Sequence, residues 1–441
     1  MENMDFKEYM LQADALMGQE KYEQAISYLE KAEEIERFNI DIYLSKGIAY
    51  ANMDDLENAK KEFEKALKIN KKEGVVYFHL GNIEMLQGNK AKGIELYNNA
   101  IAYGFDDAQI YFSLGLMYEE ENNNDLAIRN YSKAILRDPN RADIRIRKVR
   151  IFIKNQKLQE ALQALDELIL SNPDVFEGYH LKYLVLVSLE KYDEAEHVLN
   201  DAMELFPKDP AFAIDKASLL ISKKEYHEAL AEINNIEREY VLELDDKHSI
   251  AMEKSRTYAF LEDMEGTISS LLEAKEIALQ YEPPRMDIEA TYLLMNCYLN
   301  NENYEKVLEY ALEIKKAKEE NYYSLAAYYY EPLALKFLGK IDEADELFKK
   351  AVEYYRSVSL TSPGLIDSYA FRIMALRELK DYEKALELAE YLVNVRDDLA
   401  ESHTLKATIL EDLGRKEEAK VERAKAIELG GMVSELPANN Q

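Results

Sequence analysis

The segment AQIYFSLGLMYEEENNNDLAIRNYSKAILRDPNR, residues 108–141, decides the fold. Tyr111, Leu114, Gly115 and Tyr118 lie three, four and seven residues apart, which is one stripe along a helix. The polar turn Glu121-Asn122-Asn123-Asn124 interrupts it. A second stripe follows in Ala127, Tyr131, Ala134 and Ile135, and Pro139 stops it because proline cannot continue a helix. The segment predicts two short antiparallel helices. Gly115 and Ala127 fall where the axes must approach within about 8–10 Å, so small side chains are needed there while the rings fill the flanks.

Outward from this segment a small residue recurs at Ala25, Ala59, Gly93, Ala127, Ala161, Ala195 and Ala229, each 34 residues after the last. The phrases around these anchors align: KYEQAISYLEKA (21–32), DLENAKKEFEKAL (55–67), DLAIRNYSKAI (125–135) and KYDEAEHVLNDAM (191–203). Anchors at Thr267, Val307, Ala344, Ala385 and Ala419 continue at spacings of 38, 40, 37, 41 and 34, which implies longer helices or turns in that half. Neither helix of a pair can hide its apolar stripe alone, so neighbouring pairs must stack into an elongated array.

A 34-residue period with this content resembles the tetratricopeptide repeat, and the resemblance covers residues 6 to about 430. It implies an all-α fold, a right-handed α-α solenoid (superhelix) of about twelve tetratricopeptide-type helical hairpins. Residues 1–246 form the regular array of about seven units, 247–430 a continuing array of about five longer and less regular ones, and 431–441 a C-terminal tail. Three positions depart from the family pattern. Glu84 replaces an aromatic, Pro332 interrupts a first helix and should kink or unwind it, and Arg423 stands where a second helix carries a ring. Arg423 suits a terminal unit facing water, one left either to fray or to form a homodimer.

The chain of 441 residues holds 55 Lys and Arg against 85 Asp and Glu, a net charge of −30. Such a charge repels phosphate backbones and anionic headgroups, so neither nucleic acid nor membrane is an expected partner. One cysteine cannot form an internal disulfide, the first residues are acidic where a secretory signal would be basic, and no apolar run reaches the ~18 residues of a membrane span. A cytoplasmic location is expected.

In the resembled family the first helix of each unit lines a concave face, with positions 2, 5, 6, 9, 12 and 13 pointing inward. Carried over by counting, these positions in the third to sixth units include Phe78, His79, Asn82, Phe112, Ser113, Leu116, Arg147, Arg150, Lys154, His180 and Leu184. Arg137 to Lys157 holds eight basic residues and two acids. Either this is a solvated face pairing with acidic neighbours, or Arg147 and Arg150 grip a carboxylate of an acidic peptide in a two-pronged fashion. A second candidate groove gathers Tyr292, Asn296, Tyr329, Tyr330 and Phe371, with Phe260 one unit earlier, against the alternative that these rings only pack the repeats. The family's carboxylate clamp for chaperone C-termini is not expected, because first helices such as IYLSKGIAY and VYFHLGNIEM do not carry its Lys and Asn series.

Lys46, Lys148, Lys182, Lys216, Lys254, Arg372 and Lys406 each precede the small site of a first helix, and are read as stems packed between units with the charge in water. Six histidines show no metal-ligand spacing, Cys297 falls on a buried small-residue slot, and no glycine-rich phosphate loop occurs. No catalytic residue, metal or cofactor is expected. The reading is a protein-protein interaction scaffold that binds a peptide or protein segment on its concave face. The alternative is a bacterial peptide-sensing regulator that changes superhelical shape on binding a short peptide. No helix-turn-helix DNA reader is expected before residue 6, which counts against this alternative unless its output runs through a partner.

Overall fold

The structure, a computed structural model, describes residues 5–317, 320–362 and 364–431. Among the described residues there are 24 α-helices and no strand, and consecutive helices pair as twelve hairpins. They fall into two compact units, one ending at Phe206 and the other beginning at Pro207.

In the first unit the hairpins are α1 (Phe6–Met17) with α2 (Tyr22–Ile35), α3 (Ile40–Asn52) with α4 (Leu56–Ile69), and α5 (Gly74–Leu86) with α6 (Lys90–Ala102). They continue with α7 (Ala108–Glu120) and α8 (Asn124–Arg137), α9 (Ala142–Lys154) and α10 (Leu158–Ser171), and α11 (Phe176–Ser188) and α12 (Tyr192–Leu205). The second unit opens with α13 (Ala211–Ser222) and α14 (Tyr226–Glu239), α15 (Leu244–Phe260) and α16 (Met264–Ala278), and α17 (Ile288–Asn300) and α18 (Tyr304–Ile314). It closes with α19 (Tyr322–Phe337) and α20 (Ile341–Thr361), α21 (Asp367–Glu378) and α22 (Tyr382–Val395), and α23 (Ala400–Asp412) and α24 (Lys416–Glu428). The longer anchor spacings become longer helices in places, of 17 residues in α15 and 21 in α20, and elsewhere a longer connection, residues 279–287 between α16 and α17.

Every hairpin turns on one residue in the left-handed region: Glu20, Asp54, Gly88, Asn122, Gln156, Glu190, Lys224, Glu262, Glu302, Gly339, Lys380 and Gly414. The next residue donates its N–H back to the carbonyl five residues earlier, as from Asn123 to Tyr118 (2.8 Å) and from Lys157 to Phe152 (2.9 Å). That bond satisfies a carbonyl orphaned at the helix end and sets where the second helix starts. At the other end of the first helix, Asp107 caps α7 by accepting the Gln109 N–H at 2.8 Å.

The small residues work as expected. A Cβ on Gly115 would lie 2.4 Å from the Tyr131 ring, one on Gly81 2.7 Å from Tyr97, and one on Gly47 2.3 Å from Phe63. Further along, the first helix carries Val149 at this slot and the second answers with Leu165 in place of a ring, both fully buried in one cluster. Volume is conserved across the crossing while its identity changes.

The departures are absorbed by charge. Glu84, only 2% exposed, accepts from Lys60 (2.6 Å) on α4, Lys92 (2.8 Å) on α6 and the Asn89 amide (2.9 Å), and the two lysines hold its carboxyl down at about 2. Pro332 sits inside α19 without ending it, so the expected unwinding does not occur, and the adjacent Glu331 pairs with Lys315. Arg423 forks onto Glu411 at 2.6 Å. Several lysines read as reaching water instead pair with the second helix of the preceding hairpin: Lys46 with Glu33, Lys182 with Asp166 (2.7 Å) and Lys254 with Glu237 (2.6 Å). Lys46 is 5% exposed, which corrects the expectation of a hydrated charge. Cys297 is half-buried and free, not fully buried. Of the expected tail, 431–441, only Gly431 is among the described residues.

Candidate functional site

Within each unit the first helices of successive hairpins touch where their sequences permit, as α9 does α11, α17 does α19 and α19 does α21. Their outward side chains make a wall.

In the first unit the sequence-predicted residues divide into rings used for packing and charges tied across repeats. Phe78 is 7% exposed, against Tyr97 (6.0 Å) and Phe105 (5.2 Å). His79 stacks on Phe63 at 5.3 Å and 8°, and burial drives its imidazole down to about 4, so it is neutral at neutral pH. Asn82 accepts the Tyr97 hydroxyl at 2.6 Å, and Ser113 lies half-buried on α7. Phe112 leans on Tyr131 with the Arg141 guanidinium 5.1 Å from its ring, and Leu116 packs half-buried against the same cluster.

Arg147 and Arg150 are exposed, and each meets a carboxylate on a neighbouring first helix. Arg147 lies 3.5 Å from Glu119 of α7, and Arg150 donates from Nε (3.1 Å) and Nη2 (2.7 Å) to one oxygen of Glu177 on α11. Lys154 reaches the Asn122 side chain at 3.3 Å. His180 stacks on Phe176 and lies tilted against Tyr183, both at 6.4 Å, and Leu184 is exposed.

In the second unit the tyrosines converge, and Tyr322, which the counting missed, joins them. Its ring meets Tyr292 (5.6 Å), Tyr323 (5.9 Å) and Phe371 (5.7 Å), and its hydroxyl lies 3.1 Å from that of Tyr292. Phe371 and Tyr329, each 6% exposed, form the floor, with Tyr330 edge-on to Tyr329 at 5.3 Å. Burial raises the hydroxyls of Tyr322 and Tyr329 and pushes Tyr330 up to about 12, so all stay protonated. The Tyr329 hydroxyl donates to Glu378 at 3.4 Å, and Lys336 pairs with the same carboxylate at 2.7 Å. Asn296 follows one turn after Tyr292 on α17, half-buried. Phe260 stands apart from these rings, stacked on Tyr226 at 5.1 Å. Asn321 caps α19 by accepting the Ser324 N–H at 3.0 Å, and it is this cap that places Tyr322 in the first turn.

Burial raises the Cys297 thiol, which disfavours the thiolate. Among the described residues no three His, Cys, Asp or Glu side chains converge as a metal cage, and no helix is long and apolar enough to cross a membrane.

Family models described as tetratricopeptide repeat match residues 9–39, 40–73, 118–182, 184–240 and 333–357. Over 91 residues the chain is 31% identical to the human (Homo sapiens) mitochondrial import receptor subunit TOM70 and 32% identical to that of Rattus norvegicus. These matches span 20% of this chain and 15% of the length of those relatives. A similar solved structure is the C-terminal part of a TPR repeat-containing protein from Cytophaga hutchinsonii, at 15% identity, covering 63% of this chain and 97% of that one, with a TM-score of 0.44. Cut9 with Hcn1, from the APC/C, matches at 13% identity over 97% and 94%, with a TM-score of 0.39. YrrB, described as a TPR protein with an unusual peptide-binding site, matches at 18% identity over 44% and 97%, with a TM-score of 0.34.

Proposed function

The chain belongs to the tetratricopeptide-repeat family, and from that premise we propose that it is a protein-protein interaction scaffold which seats a segment of a partner along the first-helix walls of its hairpins. The observation that carries this reading is the set of ties running from one first helix to the next. Arg147 to Glu119, Arg150 to Glu177 and the Tyr292–Tyr322 hydroxyl pair hold neighbouring helices before any ligand arrives. A wall ordered in advance loses little conformational freedom on binding.

The reading is non-catalytic and cytoplasmic, supported by the net charge of −30, the single cysteine and its raised thiol. An acidic segment seated at Arg147 and Arg150 would have to displace Glu119 and Glu177, an exchange of one carboxylate for another at an exposed site. Hydrogen exchange of the full chain with a captured partner is the test. Protection should concentrate in the first helices, and protection confined to second helices or to the turns would refute the proposal. A ligand-dependent change in small-angle scattering dimensions would instead favour a peptide-sensing regulator.

A further inference from the structure

The first-helix wall of the second unit leaves its negative charge unanswered. Glu289, Asp367 and Glu401 occupy the first turns of α17, α21 and α23, at the same end of successive first helices as Tyr322 in α19. A first-turn acid is individually favoured by its own helix dipole. The dipole does not account for like charges on different helices facing one another. The Asp367 charge acts on Glu401, whose carboxyl is raised by partial burial and then by that neighbour, and the Glu401 charge is felt at the Tyr322 hydroxyl.

Three cations on these helices are engaged elsewhere, Lys336 with Glu378, Arg377 with Asp412 and Lys406 with Glu422, and the fourth, half-buried Arg372 of α21, feels Arg356 and Glu353 of α20 and not the three acids. Among the described residues none pairs with Glu289, Asp367 or Glu401. The rings tell the same story from separate geometry. Elsewhere this molecule places its own cation over several of its tyrosines, Lys315 at 4.2 Å from Tyr328, Lys275 at 4.6 Å from Tyr310 and Arg137 at 4.9 Å from Tyr111. Among the described residues no Lys or Arg covers Tyr292, Tyr322 or Tyr330, although Tyr322 is 42% exposed. An exposed ring flanked by carboxylates attracts a cation both through its π face and through their charge.

We propose that the N-terminal edge of α17, α19, α21 and α23 receives a lysine- or arginine-bearing segment of a partner protein, the cation lodging against Tyr322 and Tyr292 between Glu289, Asp367 and Glu401. This rests on the scaffold reading and adds the chemistry of the guest. A basic side chain there supplies the counter-charge that the fold omits, and its aliphatic stem covers the tyrosine faces.

Fluorescence anisotropy with the full chain tests it, using a labelled decapeptide of alternating arginine and serine together with its lysine, glutamate and all-serine counterparts. The arginine and lysine peptides should bind and the other two should not. Because an acidic protein attracts any basic peptide, variants decide the location. Asp367→Asn with Glu401→Gln should weaken binding about tenfold, and Tyr322→Leu about fivefold, while Tyr322→Phe keeps the affinity. Glu387→Gln with Glu390→Gln, which removes the same charge from α22, should stay within about twofold. Absent binding of the arginine peptide, equal binding of the glutamate peptide, or equal loss in the α22 control overturns the proposal. If a captured partner protects the first helices while the basic peptides fail, the scaffold reading survives and this inference does not. If neither protects them, both fall.

Discussion

The walls of α5 to α11 and of α17 to α23 are built on the same hairpin and part ways in the charge they leave open. On the first, exposed cations meet acids of the same chain, Arg147 with Glu119 and Arg150 with Glu177, and even a carboxylate in an aromatic slot, Glu84, is closed by two lysines. On the second, Lys336 and Arg377 are likewise tied to Glu378 and Asp412 of the next first helix, but at the helix starts rings stand at the surface and Glu289, Asp367 and Glu401 have no cation among the described residues. Local closure stiffens a wall but leaves a ligand only exchange reactions. Charge left open costs some stability and gives a ligand something to complete.

The largest expected effects separate rings that hold the fold from rings that face outward. Phe78→Ala and Phe371→Ala should each cost about 3–5 kcal/mol, because both side chains are almost fully enclosed by other rings. Tyr322→Leu should cost no more than about 1 kcal/mol, since over 40% of the residue is already exposed. Chemical unfolding monitored by hydrogen exchange of α5, α19 and α21 checks all three. A similar cost for Tyr322→Leu and Phe371→Ala would place Tyr322 in the floor and remove the contrast between surface and core.

Acid should loosen the first unit through two groups acting in sequence. His79 has a folded value of about 4, below the ordinary 6.5 of its unfolded form, so the unfolded chain takes up a proton first and stability is lost as pH falls from 6.5 to 4. Glu84 is depressed to about 2, so its contribution is complete above its ordinary value of 4.5 and disappears as pH falls from 4.5 to 2. Glu84→Gln should therefore cost roughly 1.5–3 kcal/mol at neutral pH, the weight of hydrogen bonds to a charged group, and almost nothing near pH 2. His79→Leu should flatten only the upper window. Glu401→Gln should act with the opposite sign, raising neutral-pH stability slightly by removing the repulsion from Asp367. A penalty for Glu84→Gln that ignores pH would show that its ion pairs contribute little.

The sequence discloses periodic features and hides those that depend on register between helices. The anchors from Ala25 to Ala229 are readable because a close crossing excludes bulk, and Gly115 against Tyr131 shows the reason directly. The turn conformation is not readable from composition, since only three of its twelve left-handed positions are glycine. Tyr322 escaped because counting from anchors assumes a constant helix start, whereas the Asn321 cap and the 16-residue length of α19 shift its first turn. The Lys46–Glu33 and Lys336–Glu378 pairs escaped because their partners are 13 and 42 residues apart and belong to different helices. Position within the repeat picks out residues of both walls but does not separate enclosed Phe78 from exposed Arg150.

A smaller effect probes how far the first wall depends on its own pairs. Arg147→Glu with Arg150→Glu breaks two exposed ion pairs and sets acid against Glu119 and Glu177, so a loss of about 1 kcal/mol is expected. If these arginines also hold an acidic ligand, the double variant should lose that ligand entirely while unfolding almost as before. Unchanged affinity for an acidic partner segment would assign both arginines to the wall alone.

The smallest effect tests whether the two units share their scaffold despite their different walls. Gln156 in the first and Lys224 in the second hold the same left-handed turn position with exposed side chains. Glycine there would relieve about 1–2 kcal/mol of steric cost and would give back about 0.4–1 kcal/mol through a freer unfolded chain. Gln156→Gly and Lys224→Gly should thus each stabilise their hairpin by roughly 0.5 kcal/mol, read as slower exchange of the Lys157 and Glu225 amides that close the turns. A gain in one unit and a loss in the other would mean that the hairpins themselves differ, and the contrast between the walls would then begin in the turns.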